Sequence, residues 1–411
     1  MIRFIHTADI HFGMENYGRI DPATGIHTRL LDFFNALNSC IDTAIKEKVD
    51  FFLFSGDAYK TAHPTQTQQQ LLIQCFLRLY RESIPVIIVV GNHDHPLSFG
   101  KANALDVFGE LPLNGFHVMA KPTTLRLETK SGPVQIVGIP WPTRNSISLA
   151  IRHQDKTATN ITEYISKAVA HIIKDHAQKL DPTIPAVLAG HLTVSSGIFS
   201  GSEKRAIYGT DPLFLPSQLA IKPFDYVALG HLHRHQNLNP NGIPVVYSGS
   251  IERIDFGERK EPKGFCLVTI TDKQKTDYQF IQLATRPFIQ IDITIEPEKP
   301  QTDQVLDALK KHTITDAIIK IMYRLPEGKK DTVDLKRVQQ ACAGAMYIVG
   351  IIPIRPIETR TRRIGSMDVG MDMESLLNKY FDTKKELSDR RKILIEKTMH
   401  LLETQDQADC A

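Results

Sequence analysis

The sequence predicts an α/β layered protein with helices flanking its sheets, followed by a small α+β domain and a helical tail. Short runs of β-branched and aromatic residues recur up to about residue 270, which is typical of buried strands. Helical patterns, with apolar residues three and four positions apart, lie between the first of these runs. This alternation indicates sheets covered by helices. A chain of 411 residues is also long enough for two or three domains with separate cores.

The first domain is expected at residues 1–285. Its two clearest helical patterns cover residues 30–48 and 67–81. The apolar runs predict strands at residues 2–6, 50–54, 85–90, 134–139, 186–189, 226–229, 245–247 and 265–270.

A second, smaller domain is expected at residues 286–355, because the pattern restarts after Arg286-Pro287. Strands are predicted at residues 289–295, 317–324 and 347–352, and helices at residues 304–311 and 333–341. Pro353 and Pro356 are expected to end the last strand. These elements predict an α+β unit placed after the larger domain.

Residues 356–411 are interpreted as an arginine-rich linker, at 360–363, and a helical tail. Residues 383–386 match a capping box, which predicts that a second tail helix starts near Lys384. Leucines follow it at heptad spacing, at Leu387, Leu394 and Leu401. An apolar stripe of this kind either packs on its own protein or docks a partner, and the sequence favours neither.

Charge and cysteine content exclude several classes of protein. The chain has 49 basic and 46 acidic residues, a net charge of +3, so it lacks the strong positive charge of a protein that coats nucleic acid. Its 5 cysteines are scattered without a Cys-x-x-Cys pair, which argues against a disulfide framework. No apolar run approaches the about 20 residues that span a bilayer, and His6 and Asp9 interrupt any signal-peptide core. We therefore expect a cytoplasmic protein with no membrane partner.

Five predicted strands in the first half of the chain end on residues that bind metal ions. The carboxyl ends of parallel strands meet at one edge of a sheet, so these segments can converge on one crevice. A glycine precedes four of them and removes side-chain bulk at the turn. The segments are Asp9-Ile10-His11, Gly56-Asp57, Gly91-Asn92-His93-Asp94, Gly190-His191 and Gly230-His231-Leu232-His233.

These segments offer seven nitrogen and oxygen ligands, which is too many for one catalytic ion that must also hold water. Two ions about 3.5–4 Å apart, sharing a carboxylate, would use all seven and would clamp an in-line displacement at phosphorus. Asp57, alone at its strand end, is the natural bridge between them. The ligand types suit manganese, iron, nickel or zinc better than magnesium, and we favour manganese. The predicted ligands are Asp9, His11, Asp57, Asn92, His191, His231 and His233.

In order and spacing, the five segments resemble the calcineurin-like metallophosphoesterases, whose layered β-sandwich is the fold expected here. The resemblance implies that Asp9, His11 and His233 hold one metal, that Asn92, His191 and His231 hold the other, and that Asp57 bridges.

The resemblance also assigns two catalytic residues. It implies that His93 reaches the scissile phosphate, where it would stabilise charge or protonate the leaving oxygen. Asp94 is then expected to orient the His93 ring through its other nitrogen. Some members of the family carry a histidine three residues after the bridging aspartate, and Lys60 stands there in this chain. We expect Lys60 either to contact a phosphate or to be an ordinary solvated lysine.

Other histidines compete for these roles. His171 and His176 could replace His191, but both lie in a helical pattern rather than at a strand end. His6 is expected to point into a strand face, and His95 and His235 are expected to line the rim of the crevice. None of the three is predicted to be a ligand.

Finer motifs are similar to a branch of the family that cuts DNA: residues 7–13, 55–59, 247–250, 255–258 and 263–265. The resemblance implies a double-stranded DNA exonuclease that is also an endonuclease at ends and hairpins, acting in DNA repair and recombination. It further implies a partner ATPase whose coiled coil the tail grips, and a homodimer of this chain within a heterotetramer. Residues 286–355 would cap the site and contact DNA. Two other functions stay open, a phosphoesterase for small phosphodiesters or nucleotides and a non-catalytic scaffold.

Overall fold

The computed structural model describes residues 1–95, 102–110, 113–143, 158–201, 211–355, 373–382 and 389–408. Contacts divide the chain into two compact units. The first comprises Met1–Ile293, Pro300–Met322 and Thr332–Ile352, and the second comprises Thr294–Lys299, Tyr323–Asp331 and Pro353–Ala411. The division into residues 1–285, 286–355 and 356–411 stays a prediction.

The described elements follow one another along the chain in an α/β order. The strands are β1 Ile2–Thr7, β2 Phe51–Phe54, β3 Val86–Val89, β4 Phe116–Met119, β5 Thr123–Thr129, β6 Gly132–Ile139, β7 Ala186–His191, β8 Thr193–Val194, β9 Leu213–Phe214, β10 Tyr226–Gly230, β11 Gln236–Asn237, β12 Val245–Tyr247, β13 Gly264–Asp272, β14 Lys275–Gln282, β15 Phe288–Thr294, β16 Ile318–Arg324 and β17 Tyr347–Ile354. The helices are α1 Thr28–Lys46, α2 Gln66–Arg81, α3 Asp106–Glu110, α4 Ala158–Gln178, α5 Pro216–Leu219, α6 Gln301–Leu309, α7 Leu335–Ala341, α8 Met373–Asp382 and α9 Arg391–Ala408.

The first six-stranded sheet has the order β14-β13-β1-β2-β3-β4. Strands β1 to β4 run parallel to one another, so their carboxyl ends share one edge. All four residues of β2 are buried, as expected for a parallel strand covered on both faces. Phe52 and Phe54 face a core that includes the apolar sides of α1 and α2. A capping box of Thr65 and Gln68 begins α2 by satisfying backbone N–H groups of its first turn.

The second six-stranded sheet has the order β11-β12-β10-β7-β6-β5. Its four central strands are parallel, and α4 packs its apolar face against one side of the sheet. The two sheets face each other across a core that contains Phe4, Phe51, Val187 and Ala228. The Phe4 and Phe51 rings stack with their centres 4.5 Å apart. The architecture is therefore the expected layered sandwich, with helices outside the sheets.

Strands β15, β16 and β17 form a separate three-stranded sheet in that order. Within the first compact unit, Phe288 of this sheet contacts the rings of Tyr17 and Phe256. Arg286, just before β15, forms an ion pair with Asp32 of α1 at 2.6 Å. An aromatic cluster and a partly buried ion pair thus attach this small sheet to the sandwich.

The eight strands predicted for residues 1–285 all occur, with ends within a few residues of the predicted ones. The missed strands of the two large sheets are β4, β5, β11 and β14, and these are the four outermost strands. An outermost strand is partly exposed and carries polar side chains, so its sequence lacks the apolar run that marks an inner strand.

The small sheet differs from expectation in one detail. Its last strand continues through Pro353, because β17 lies at an edge of the sheet, where the missing N–H of proline is tolerated.

In the tail, two helices are described. Helix α9 begins at Arg391, whereas the linker arginines at 360–363, the capping box at 383–386 and Leu387 lie outside the described residues. Among the helices that are described, none is both long and apolar enough to cross a membrane.

Candidate metal centre

The turns that follow β1 and β2 hold carboxylate and imidazole groups in unusual backbone conformations. Asp9, His11 and Asp57 have φ values of 54°, 51° and 61°, in the left-handed region that residues other than glycine rarely adopt. Backbone hydrogen bonds from Asp9 N to Gly56 O and from His11 N to Asp57 O, 2.9 and 3.0 Å long, join the two turns. Strained turns of this kind concentrate at functional sites, and here they aim three ligand side chains at one place.

Asp57 lies at the centre of the cluster and is almost completely buried. Its Oδ2 atom is 3.3 Å from His191 Nε2 and 3.7 Å from His11 Nε2. Its Oδ1 atom accepts a hydrogen bond of 2.9 Å from the backbone N–H of His93. A Cβ atom at Gly91 would overlap this carboxylate, which explains why glycine stands there. Asp57 is thus close to His11 and His191, which the resemblance assigns to different metals, and its bridging role stays a prediction.

Asp9, His11 and His233 form one group of ligand atoms. Each residue offers one atom, and the three atoms lie within 4.8 Å of one another. The Nε2 atoms of His11 and His233 are only 3.0 Å apart, and Asp9 Oδ1 is 4.0 Å from His11 Nε2. These are the three residues that the family resemblance places on one metal.

Asn92, His191 and His231 form a second group. The Asn92 Oδ1 atom is 2.9 Å from His191 Nε2 and 3.1 Å from His231 Nδ1. The Nδ1 atom of His191 is 2.8 Å from the carbonyl oxygen of Ser55. A carbonyl oxygen can only accept, so Nδ1 carries the hydrogen, and in the neutral ring Nε2 presents its lone pair to the cluster. The structure therefore brings all seven predicted ligands together.

Burial and mutual interaction change the acidity of this cluster. Burial raises the pKa of Asp9 to about 7. Burial acts in the same direction on Asp57, but the His191 imidazole beside it holds the Asp57 pKa well below its ordinary value. Burial lowers the pKa of both His11 and His231, which favours neutral rings. Burial acts in the same direction on His191, but the Asp57 carboxylate beside it raises the His191 pKa to about 9. A neutral imidazole and an ionised carboxylate are the forms that bind metal ions.

These groups fit divalent cations. Glu258 Oε1 is 2.8 Å from His233 Nδ1. Because an ionised carboxylate only accepts, Nδ1 carries the hydrogen, and in the neutral ring the Nε2 atom turns its lone pair towards His11. The His191 Nε2 and Asn92 Oδ1 atoms, 2.9 Å apart, also face the cluster. Nitrogen and oxygen atoms that converge in this way in a buried site offer a position for a cation. The donor set, imidazole nitrogen with carboxylate and amide oxygen, is suited to transition-metal ions.

His93 lies beside the cluster, and its side chain is 41% exposed. Its Nδ1 atom is 2.9 Å from the backbone carbonyl of Lys60, so Nδ1 carries the hydrogen. Its Nε2 atom is 4.0 Å from Asp57 Oδ2. The free ring nitrogen is thus the one at the cluster, as a role at the substrate requires. The Lys60 side chain is itself exposed.

The expectation that Asp94 orients the His93 ring is wrong, because the Lys60 carbonyl occupies the position beside Nδ1. Asp94 is fully buried, and its carboxylate instead accepts backbone N–H groups of Asp57, Ala58, Tyr59 and Gly91 at 2.9 to 3.2 Å. Asp94 therefore holds the turns after β2 and β3 in place and does not contact the reacting groups.

The alternative histidines lie elsewhere. His6 is buried in the core, with its ring nitrogens 3.1 Å from Tyr226 Oη and 3.2 Å from the Leu229 carbonyl. His171 pairs with Asp175 on helix α4, and the His235 ring stacks on Phe280. Among the described residues, neither these three nor His95 and His176 belong to the groups of metal-binding side chains.

Sequence reasoning missed residues that contact the ligands. Glu258 and Lys263 both bond to His233. Asp211 Oδ2 is 3.3 Å from His231 Nε2, and the Trp141 ring centre lies 4.8 Å from that of His231. Glu258 and Lys263 lie in motifs, residues 255–258 and 263–265, that the sequence distinguishes only by their similarity to a branch of the family. No local sequence pattern reveals that these residues contact a ligand, because the contact is with a strand end that is distant in the sequence.

Comparison with known proteins gives three findings. Residues 2–235 match the family described as calcineurin-like phosphoesterase. The SbcD subunit of the nuclease SbcCD from Staphylococcus saprophyticus is 31% identical over 297 residues, which cover 71% of this chain and 71% of the relative. Two solved structures are similar over 68% of this chain and 98% of their own: TT1561 of Thermus thermophilus, at 13% identity and a TM-score of 0.38, and a dimetal phosphatase from Danio rerio, at 11% and 0.40. The region matched by the family includes all seven predicted ligands and His93.

Proposed function

The chain belongs to the calcineurin-like phosphoesterase family and is a metal-dependent phosphoesterase, and we propose that its substrate is double-stranded DNA. In this proposal it acts as an exonuclease, and as an endonuclease at ends and hairpins, with an SbcC-type ATPase in DNA repair and recombination. The observation that carries the proposal is the convergence of seven ligand side chains beside an anchored, half-exposed histidine.

Each residue in the cluster has a definite task in this reaction. Asp9, His11 and His233 would hold one metal ion, Asn92, His191 and His231 would hold the other, and Asp57 would contact both. Two divalent ions, for which we propose manganese, supply the positive charge that an in-line displacement at phosphorus needs.

His93 would act on the leaving group. The Lys60 carbonyl fixes the hydrogen on Nδ1, so the proton that enters or leaves this ring does so at Nε2. A protonated His93 would donate from Nε2 to the sugar oxygen as the bond to phosphorus breaks. Since the side chain is partly exposed, a phosphate within a polymer can reach it.

The choice of DNA over a small phosphodiester is supported by the SbcCD relative and by the extra elements after residue 285. A phosphoesterase for small phosphodiesters or nucleotides would use the same cluster and is the alternative. A scaffold without activity is less consistent with a complete ligand set.

The test compares two substrates under the same conditions. Purified protein is incubated with labelled duplex DNA and, separately, with a small chromogenic phosphodiester, each with Mn²⁺ and then with excess chelator. We expect metal-dependent cleavage of DNA at a higher kcat/KM than cleavage of the small ester. Hydrolysis of the small ester with intact DNA would favour the alternative, and no metal-dependent cleavage of either would overturn the proposal.

The partner and assembly are part of the same proposal: an SbcC-type ATPase gripped by the tail, and a homodimer of this chain within a heterotetramer. Truncation after about Arg363 should leave metal binding and basal cleavage intact, because every proposed ligand precedes residue 234. Capture of the ATPase in co-purification should be lost. Full capture by the truncated chain would place the docking surface elsewhere.

A further inference from the structure

A short 3₁₀ turn, Phe256–Glu258, places a buried carboxylate behind one of the metal ligands. Glu258 has no exposed surface, and its Oε1 atom is 2.8 Å from His233 Nδ1. Its Oε2 atom accepts a hydrogen bond of 2.8 Å from the backbone N–H of Ile254. Both oxygens of this carboxylate therefore have partners, and one of them is the ring of a metal ligand.

A buried lysine completes this arrangement. Lys263 Nζ is 2.8 Å from Glu258 Oε2 and donates a hydrogen bond of 3.0 Å to the backbone carbonyl of His233. It is also 3.4 Å from Glu261 Oε2. His233 is thus held twice, through its ring by Glu258 and through its backbone by Lys263. Burying two charges costs several kcal/mol before their attraction is counted, so a pair placed here calls for an explanation beyond stability.

From this geometry we propose that Glu258 and Lys263 are positioning residues that keep the His233 Nε2 lone pair aimed at the metal held by Asp9, His11 and His233. The inference rests on the proposed two-metal site. Glu258 fixes the hydrogen on Nδ1, and a carboxylate behind an imidazole also makes the ring a stronger ligand. Lys263 holds Glu258 in place through their 2.8 Å ion pair.

The two metal positions are supported by different residues. At the other position, the Ser55 carbonyl orients His191, and the His231 Nε2 atom is 3.3 Å from Asp211 Oδ2, so neither ring depends on Glu258. Loss of Glu258 should therefore weaken the metal held by His233 and leave the metal held by His191 and His231 in place. A merely structural ion pair would affect folding and would not distinguish the two metals.

The chain offers a reporter for the unaffected position. Trp141 is its only tryptophan, and the ring centre is 4.8 Å from that of His231 and 6.1 Å from that of His191. Paramagnetic Mn²⁺ bound beside these rings should quench the emission of Trp141. Total Mn²⁺ bound, measured by calorimetric titration, reports both positions.

The matched control is another buried carboxylate paired with a lysine. Asp225 is buried, accepts backbone N–H groups, and lies 2.9 Å from Lys273 Nζ. It precedes strand β10 at the end opposite His231, so Asp225→Asn changes a similar pair away from the metal cluster.

We expect wild-type protein to bind two Mn²⁺ ions per chain. Glu258→Gln should lower the affinity for one of them by about 10–100-fold, the usual effect of losing a partner behind a ligand, with the quenching of Trp141 unchanged. Asp225→Asn should lower the melting temperature in chelator and leave both affinities unchanged. Glu258→Asp keeps the charge near Lys263 but withdraws it from His233, so it should fold and still lose affinity for one ion.

Wild-type affinity for both ions in either Glu258 variant would overturn the inference, and so would an equal loss at both positions. If Glu258→Gln does not fold, Glu258→Asp decides. Binding of fewer than two ions by the wild type would instead remove the two-metal premise. Failure to cleave DNA would overturn the proposed function alone, because these measurements need no DNA.

Discussion

The two large sheets contribute different chemistry to the same cluster. The turns after β1, β2 and β3 of the first sheet supply all three oxygen ligands, Asp9, Asp57 and Asn92, together with His11. The ends of β7 and β10 in the second sheet supply only imidazoles, those of His191, His231 and His233.

The first sheet therefore supplies the negative charge of the site, and the second supplies rings whose orientation matters. The negative charge that attracts cations comes from the first sheet, where strained turns bring the carboxylates together. The second sheet adds imidazole rings, whose directions depend on hydrogen bonds such as that between His191 and Ser55. Neither sheet carries a complete site, so the core between the sheets is part of the metal site as well as of the fold.

The largest effect should follow removal of the central charge. Asp57→Ala should abolish turnover and the binding of both ions, because this carboxylate would contact both of them. Metal analysis and cleavage of labelled DNA measure the two losses, with Asp42→Ala, an exposed carboxylate on α1, as control. Two bound ions and near-normal cleavage in Asp57→Ala would show that Asp57 does not bridge the ions and that the charge of the first sheet does not control metal binding.

The next largest effect should come from a residue beside the first sheet that acts on the substrate. His93→Ala should lower kcat by about 10²–10⁴, the usual contribution of a positioned acid or base, with both ions still bound. Single-turnover cleavage and metal titration separate the two properties. A loss of metal comparable to the loss of rate would make His93 a ligand.

A mutation in the core between the two sheets tests whether metal binding depends on both of them. Phe51→Ala removes a ring that stacks on Phe4 and should lower the free energy of unfolding by about 3–5 kcal/mol. Denaturant unfolding in chelator measures it. Because a looser core should also misalign the sheets, we expect weaker Mn²⁺ binding as well. Unchanged metal affinity would show that each half of the cluster tolerates movement of the other.

The smallest effect should follow a change in the support of the first-sheet turns. Asp94→Asn leaves a single acceptor oxygen for the backbone N–H groups that donate to the Asp94 carboxylate. It should therefore lower the free energy of unfolding by about 1–3 kcal/mol. The melting temperature should fall, and kcat should change much less than in His93→Ala. A fall in kcat as large as that of His93→Ala without loss of stability would restore a direct role for Asp94.

Local patterns in the sequence are enough to predict the inner strands, the helices α1 and α2, and the residues that converge at the metal cluster. Inner strands are apolar on both faces, so they are easily recognised in the sequence. The end of such a strand also sets the position of a ligand residue that directly follows it. The four outermost strands could not be found in this way because solvent covers part of their surface.

Contacts between distant parts of the chain, in contrast, set how the ligands and His93 are held. The Lys60 carbonyl anchors His93 across 33 residues of sequence, and Glu258 reaches His233 across 25. A backbone carbonyl has no signature in a sequence, and a buried glutamate resembles any other until its neighbour is known. Asp94 was adjacent to His93 in the chain, but the packing of the turns directed its carboxylate to their N–H groups. The side chains that make up the site follow from local pattern, whereas their protonation and direction follow from long-range hydrogen bonds.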